Sequence, residues 1–269
     1  MHWRLGTTGY YNEGWRGPFF PPALPKSKWL GHYATQFDTI EMNNTFHRAP
    51  DEVRVRRWSE QVPDSFRFCV KAWRGITHDA PLSEARRSTE LFLEPLRSFE
   101  HKLGIVLFQL PPDCGINQFA ALEVLLGSLP TDIRFAIEFR NATWFCSEVD
   151  QLLSSHRVAR VAAELERHPE SKDATPTADF VYARLLGRHG RFQSDDHELF
   201  DPTPLLRQWH ARLATATLGQ SETAWVFINN DLAGHAPATL RRFADIAGVE
   251  LPQHRPPETV VKQGKLFDM

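Results

Sequence analysis

Six short apolar runs, each ending in polar or charged residues, constrain the fold of this chain more than any other feature of its 269 residues. They are Thr39–Asn43, Phe68–Lys71, Val106–Gln109, Ala136–Arg140, Val181–Arg184 and Val226–Asp231. Continuous apolar runs of this length are typical of parallel strands that are buried on both faces. Parallel strands need long connections, usually helices, and stretches with helical periodicity separate these runs. The pattern therefore predicts a parallel sheet covered by helices.

With two weaker runs, the chain contains eight strand–helix units. The predicted strands are Trp3–Gly6, Thr39–Met42, Arg67–Lys71, Ile105–Gln109, Arg134–Phe139, Val158–Ala162, Phe180–Leu185 and Ala224–Ile228. Eight such units in about 250 residues can close into a barrel. We therefore predict an α/β protein with a single (β/α)8 TIM-type barrel over residues 1–250. The long first βα loop, Thr7–Pro25, is expected to be a binding loop or lid. Residues 251–269 contain three prolines and are predicted to form an extended tail.

Composition narrows the class of protein further. The formal net charge is only -2, with 31 basic and 33 acidic residues, which argues against an extended basic surface for nucleic acid but leaves a local basic pocket open. The cysteines, Cys69, Cys114 and Cys146, are widely spaced and form neither a metal-binding pattern nor a disulfide framework. Reduced cysteines, and the lack of a signal-peptide core or an apolar stretch of about 20 residues, lead us to expect a cytoplasmic protein.

Several motifs together carry a resemblance to a known family. They are Gly6–Tyr10, Trp15–Gly17, Phe37–Phe46, Phe68–Lys71, Thr77-His78, Leu107–Pro112, Ala136–Arg140 with Trp144, and Asn229–Asp231. In this order, over nearly the whole chain up to about Gly248, they resemble the YecE-like family of unknown function. The resemblance implies a TIM barrel, in agreement with the strand count, and it implies site positions. It implies no reaction, because the activity of the family is not established.

The chain departs from the family pattern at two places. After strand seven the family tends to have Arg-Leu-His-Gly, whereas this chain has Leu186 at the histidine position. After strand six the family often has Asp, whereas here Ala163 and Glu164 follow. A histidine required for catalysis or metal binding would therefore be missing, and Glu164 could replace the aspartate only if the register shifts.

Polar residues at the strand ends form the candidate site. They are Glu41, Asn43, Lys71, Gln109, Glu138, Arg140, Arg184, Asn229, Asn230 and Asp231, with His78 in the loop after strand three. The carboxyl ends of barrel strands converge on one mouth, where barrel enzymes place their active sites. We therefore expect these residues to converge there, although any one of them could be an ordinary solvated strand end. In particular, one cavity is predicted to contain Glu41, Lys71, Glu138, Arg140 and Asp231.

The types of residue indicate a phosphate-containing ligand, such as a nucleotide or nucleic acid. Lys71, Arg140 and Arg184 would hold the anion, since guanidinium binds phosphate or carboxylate with two hydrogen bonds. The expected catalytic groups of a hydrolase or lyase are Glu41, Glu138, His78 and Asp231. The expected substrate-binding groups besides the three cations are Asn43, Gln109, Trp144, Asn229 and Asn230.

Other interpretations of the same residues remain open. Glu41 and Glu138 could serve a carbohydrate-active hydrolase as its acid and base, or they could simply form ion pairs with neighbouring cations. A divalent metal could draw on these two carboxylates together with His78 and Asp231, but no ligand-spacing motif supports one, and no cofactor is indicated.

The tail carries a separate signal. Gln263-Gly264-Lys265-Leu266-Phe267 resembles the Gln-x-x-Leu-Phe peptide that docks on the bacterial sliding clamp. Leu266 and Phe267 would enter an apolar pocket, and Gln263 would fix the register by hydrogen bonding. The alternative function is therefore a non-catalytic binding protein that its tail brings to DNA. A plain disordered tail, or one packed on the barrel, remains an open interpretation of so short a match.

Overall fold

The computed structural model describes residues 2–166, 168–217 and 222–252 and shows an eight-stranded parallel barrel. The strands are β1 His2–Thr7, β2 Thr39–Met42, β3 Arg67–Lys71, β4 Leu103–Gln109, β5 Arg134–Glu138, β6 Ala159–Ala163, β7 Phe180–Leu185 and β8 Thr223–Ile228. They form one sheet in the order β1-β8-β7-β6-β5-β4-β3-β2, and every pair in it is parallel. The predicted (β/α)8 TIM-type barrel is confirmed.

Helices surround the barrel. They are α1 Trp29–Tyr33, α2 Glu52–Ser59, α3 Arg74–Thr77, α4 Ala85–Leu96, α5 Phe119–Gly127, α6 Ser147–Ser155, α7 Thr203–Ala216 and α8 Ala236–Ala247. The first is only five residues long and is preceded by a 3-10 turn, Lys26–Lys28. Pro95 lies one residue before the end of α4, and the backbone breaks further on, at Glu100, where φ is 53°.

The barrel closes between β1 and β2 through a side chain. The two strands share one bridge, Thr8 with Glu41, within the described ranges. The buried Tyr33 hydroxyl of α1 accepts from the Thr7 amide at 2.8 Å and donates to the Thr39 carbonyl at 3.1 Å. It therefore supplies the hydrogen bonds that a regular ladder would have made. Gly6 permits this approach, because a Cβ there would lie 2.4 Å from the Thr39 oxygen.

The interior of the barrel changes from apolar to charged along the strands. Its buried apolar cluster includes Cys69, Leu107, Ala136, Val161 and Phe227. Side chains two residues apart on a strand share a face, so the next interior positions towards the strand ends include the polar or charged residues Lys71, Gln109 and Glu138. The polar groups of the mouth therefore rest on an apolar floor.

Two further findings concern membrane-spanning helices and the residues that the structure does not describe. No helix in the part that the structure describes is both long and apolar enough to cross a membrane. The tail residues Gln263, Leu266 and Phe267 lie outside the described residues.

Candidate functional site

Arg184 lies at the centre of the charged mouth. It follows Tyr182 by two residues on β7 and is almost fully buried. Its Nε and Nη2 donate to the two oxygens of Glu41, at 2.9 and 2.8 Å. Its Nη1 donates to Glu138 and lies 3.4 Å from the Gln109 Oε1. All three guanidinium nitrogens are therefore engaged within the protein, which does not favour Arg184 as the group that holds an anionic ligand, and that role stays a prediction.

The two glutamates form the other half of this network. Glu41 is fully buried, and the Tyr182 hydroxyl donates to its Oε2 at 2.8 Å. Glu138 is equally buried, and Arg140 donates from Nε to its second oxygen. Burial alone would raise the pKa of Glu138, but the charges of Arg184 and Arg140 outweigh it and hold that pKa below its usual value. Two carboxylates and two guanidiniums thus neutralise one another.

Lys71 is the cation left over. It ends β3 and is partly buried, and its Nζ lies 4.0 Å from the centre of the Phe46 ring. Thr45 donates to the Lys71 carbonyl at 2.7 Å and so fixes the Phe46 turn against β3. Across the described ranges, the ammonium makes no hydrogen bond and no ion pair. Burial, and then the positive charge of Arg184, lower the pKa of Lys71 to about 8.

His78 contacts the Phe46 ring, and Asn43 immediately precedes the turn that carries Phe46. The His78 ring meets Phe46 edge-on at 4.9 Å, and its Nδ1 lies 2.7 Å from the Thr77 hydroxyl. Burial and the charge of Lys71 lower the pKa of His78, so the imidazole is neutral at pH 7. Asn43 follows β2 directly and has a buried Oδ1 with no hydrogen-bond partner in the structure as described.

Asp231 belongs to a second cavity of about 360 Å³ on the β1–β8 side of the mouth. Its oxygens accept from the Gly190 amide at 3.1 Å and from Asn229 at 3.2 Å, and His189 lies 3.5 Å away. The same cavity is lined by Asn230, Asn12, Trp15 and Asp195. Glu41, Lys71, Glu138 and Arg140, which were predicted to share one cavity with Asp231, do not line this one.

Asn229 and Asn230 use their amide oxygens to shape this second cavity. Asn229 Oδ1 accepts from the Gly187 amide at 3.2 Å. Asn230 Oδ1 accepts from the Trp15 indole at 3.0 Å and from the Ala236 amide at 2.9 Å. The first βα loop and the start of α8 are thereby tied to the end of β8.

Trp144 does not line the mouth, contrary to our expectation. It is fully buried, its indole donates to the Cys114 carbonyl at 2.6 Å, and it stacks on Phe139 at 5.0 Å. Phe139 follows the inward-facing Glu138 and so points to the helix layer. Trp144 therefore packs behind β5, where a ligand in the mouth cannot reach it.

The structure shows where the side chains at the two departures from the family pattern lie. Leu186 joins Leu165 in the apolar interior, so the position is filled by packing. Glu164 points outward, where it accepts from the Trp209 indole at 2.7 Å and pairs with Lys172. Glu164 therefore does not replace a mouth aspartate.

Sequence reasoning missed two groups that shape the site. Tyr182 could have been found, since strand alternation places it on the same face as Arg184. Asn12 and Asp195, joined by a 2.8 Å hydrogen bond, are 183 residues apart in two long loops, and no local pattern links them.

Residues 2–166, 168–217 and 222–252 contain no preformed metal-binding site. No group of three or more His, Cys, Asp or Glu side chains there is placed to hold an ion. The oxygens of Glu41 and Glu138 are occupied by guanidinium groups, and Asp231 is in the second cavity. The four residues that we considered as ligands are therefore not brought together.

Comparison with known proteins identifies the family. The YecE protein of Escherichia coli K12 is 27% identical over 262 residues, covering 88% of this chain and 92% of that protein. A DUF72 family protein from Thermotoga maritima has a TM-score of 0.75 at 23% identity, with 92% of this chain and all of that one aligned. One from Enterococcus faecalis has a TM-score of 0.74 at 20% identity over 92% and 96% of the two chains. The family described as "Protein of unknown function DUF72" matches residues 4–262, and the chain therefore belongs to this family.

Proposed function

We propose that the protein is an enzyme acting on a small ligand that carries a phosphate or carboxylate group, bound at the C-terminal mouth beside Lys71 and Arg140. The observation that carries this proposal is the unpaired Lys71. Glu41 and Glu138 are already balanced by Arg184 and Arg140, so Lys71 gives the cluster a net positive charge.

Arg140 supplies the hydrogen-bond donors for such an anion. Its side chain is 25% exposed, and its Nε is engaged with Glu138. Both Nη nitrogens are without a partner in the portion of the chain that is described. A guanidinium edge with open donors fits two oxygens of a phosphate or carboxylate.

The position of Lys71 lowers the stability of the folded protein, and this cost favours a functional role for the residue. A partly buried ammonium with no counter-ion loses hydration and gains no ion pair in return. Side chains with strongly shifted pKa values in a cleft are candidates for binding or catalysis. The unpaired acceptor of Asn43, near the same turn, is a further group that a ligand could satisfy.

The glutamate pair gives little support to a carbohydrate-active hydrolase. The general acid of such an enzyme is a carboxyl whose pKa is raised. Glu138 has a lowered pKa instead, because Arg184 and Arg140 outweigh its burial. Glu41 and Glu138 are also at most 1% exposed. Their role in this proposal is to orient the guanidiniums.

Thermal unfolding with inorganic phosphate, pyrophosphate or AMP tests the proposal. A ligand at 100 times its dissociation constant should stabilise the folded protein by about 2.7 kcal/mol. Arg140→Gln should lose most of this shift, whereas Arg134→Gln, at the opposite end of the barrel, should keep it. Unchanged melting with all three compounds at millimolar concentration, or a full shift in Arg140→Gln, would contradict the proposal.

The tail provides a second proposal that rests on sequence alone, through Gln263, Leu266 and Phe267. We propose that it docks on a sliding clamp, with the two apolar residues as anchors. A tail peptide fused to a carrier should bind the clamp of the source organism, and Phe267→Ala should weaken binding far more than Lys265→Ala. No clamp binding at tens of micromolar would remove this link to DNA maintenance.

A further inference from the structure

We infer that Lys71 is a reactive amine that forms an imine with a carbonyl group of the ligand. The substrate class is then a small aldehyde or ketone that also carries a phosphate or carboxylate. This inference rests on the proposed anion site at Arg140 and adds the reacting group to it.

The surroundings of Lys71 differ from those of other lysines in the described chain. Lys172 is paired with Glu164, and Lys102 donates to the carbonyls of Ser59 and Val62, at 3.0 Å each. The Lys71 ammonium instead lies against the Phe46 ring, with no carboxylate oxygen among the described residues close enough for an ion pair. Glu138 and Glu41 raise the pKa of Lys71 without contacting it, and burial together with Arg184 outweighs them.

The electrostatics favour the neutral amine that an attack on a carbonyl requires. Burial and the charge of Arg184 lower the pKa of Lys71 to about 8, from an ordinary value of 10.5. About a quarter of the amine is then neutral at pH 7.5, compared with about a thousandth for an ordinary lysine. Desolvation beside another cation is a known way of activating a lysine toward carbonyl compounds.

The step balances with the groups at hand. The lone pair of Nζ forms a bond to the carbonyl carbon, the carbonyl π electrons move to oxygen, and one of the two amine protons passes from nitrogen to that oxygen. When the C–O bond of the carbinolamine breaks, the nitrogen lone pair forms the C=N bond, and the second amine proton passes to the departing hydroxide, which leaves as water. Neutral His78, which contacts the same Phe46 ring, is the nearby group that can take each proton from nitrogen and deliver it to oxygen. No oxidant or reductant is needed.

Reductive trapping tests the inference. The full-length protein is incubated with dihydroxyacetone phosphate and sodium borohydride at pH 7.5, and adducts on its seven lysines are mapped by mass spectrometry. Hydride from borohydride converts the imine into a stable secondary amine. The Lys71 adduct should exceed that on Lys172, a partly exposed but ion-paired lysine, by at least about tenfold. Its yield should rise with pH and level off above about 8.

Matched variants and a matched ketone separate this inference from the anion proposal. Lys71→Met, with its fold checked by circular dichroism, should lose the adduct. Dihydroxyacetone, which lacks the phosphate, should react more weakly, and Arg140→Gln should abolish the difference between the two ketones. Equal labelling of Lys71 and Lys172 would overturn the amine role, even if phosphate still raises the melting temperature. Strong Lys71 labelling by both ketones, without a phosphate shift, would support the amine and overturn the anion site.

Discussion

The two ends of the barrel interior both carry arginines, but they hold them differently. At the C-terminal end Arg184 is buried between two glutamates, and all three of its guanidinium nitrogens are engaged. At the N-terminal end Arg4, Arg67 and Arg134 border a cavity of about 590 Å³. Arg134 pairs with Asp179 at 3.2 Å, and both side chains are more than half exposed. Arg184 therefore orders a buried network at one end, whereas Arg134 is largely exposed to water at the other.

One carboxylate at each end of the barrel shows what decides whether a carboxyl pKa is raised or lowered. Burial raises the pKa of Asp38, because Arg4, 2.6 Å away, and the weaker effects of His2 and the Leu5 backbone do not offset the loss of hydration. Glu138 is more deeply buried, yet its pKa is lowered, because Arg184 and Arg140 together outweigh burial. The number of cations around a carboxylate, rather than its depth, sets the direction of the shift.

The largest expected effect comes from removing the central guanidinium. Arg184→Met should lower the free energy of unfolding by about 3–5 kcal/mol, because it leaves two buried carboxylates without their shared partner. Urea unfolding followed by circular dichroism measures this loss. Adding Glu41→Gln and Glu138→Gln to the variant should recover part of it, since amides bury at lower cost. A loss below about 1 kcal/mol would show that the C-terminal network is no stronger than surface pairing.

The second effect has the opposite sign. Lys71→Met should raise the free energy of unfolding at pH 7, by up to about 3 kcal/mol, because the wild-type ammonium is buried without a partner. The folded pKa of Lys71 lies below its unfolded value, so wild-type stability should rise as pH increases from about 8 to 10.5. The advantage of the variant should therefore fade across that window. Urea titrations at a series of pH values would show a constant difference instead if Lys71 were not strained.

The smallest effect is expected at the other end of the barrel. Arg134→Met makes the same chemical change as Arg184→Met, at an exposed pair. It should change the free energy of unfolding by less than about 1 kcal/mol, because solvent screens the ion pair in the folded protein. The same urea experiment serves as the measurement. A loss as large as that of Arg184→Met would erase the contrast between the two ends.

Sequence reasoning was most successful where structure depends on local pattern. The bounds of β2, β3 and β7 agree with their predicted residues, and the other strands differ by at most two residues at either end. Buried strands can be recognised in a sequence because each must be apolar along its length. The sequence correctly predicted Glu41 and Glu138 at strand ends. It left ion pairing with neighbouring cations such as Arg184 as only one of several possible roles for them.

The sequence by itself determined the eight strands, their order of connection and the gathering of polar groups at one mouth, because hydrophobic runs and strand alternation are local properties. Only the tertiary structure decided which of those groups meet. Glu41 and Arg184 are 143 residues apart, yet their contact uses the donors that we had assigned to an anion. The closed barrel also sends Asp231 to a second cavity, places Trp144 behind β5 and leaves Lys71 against the Phe46 ring, with no ion pair among the described residues. Side-chain pairing across a barrel depends on the strand positions and the inward direction of each residue, and no short stretch of sequence contains both.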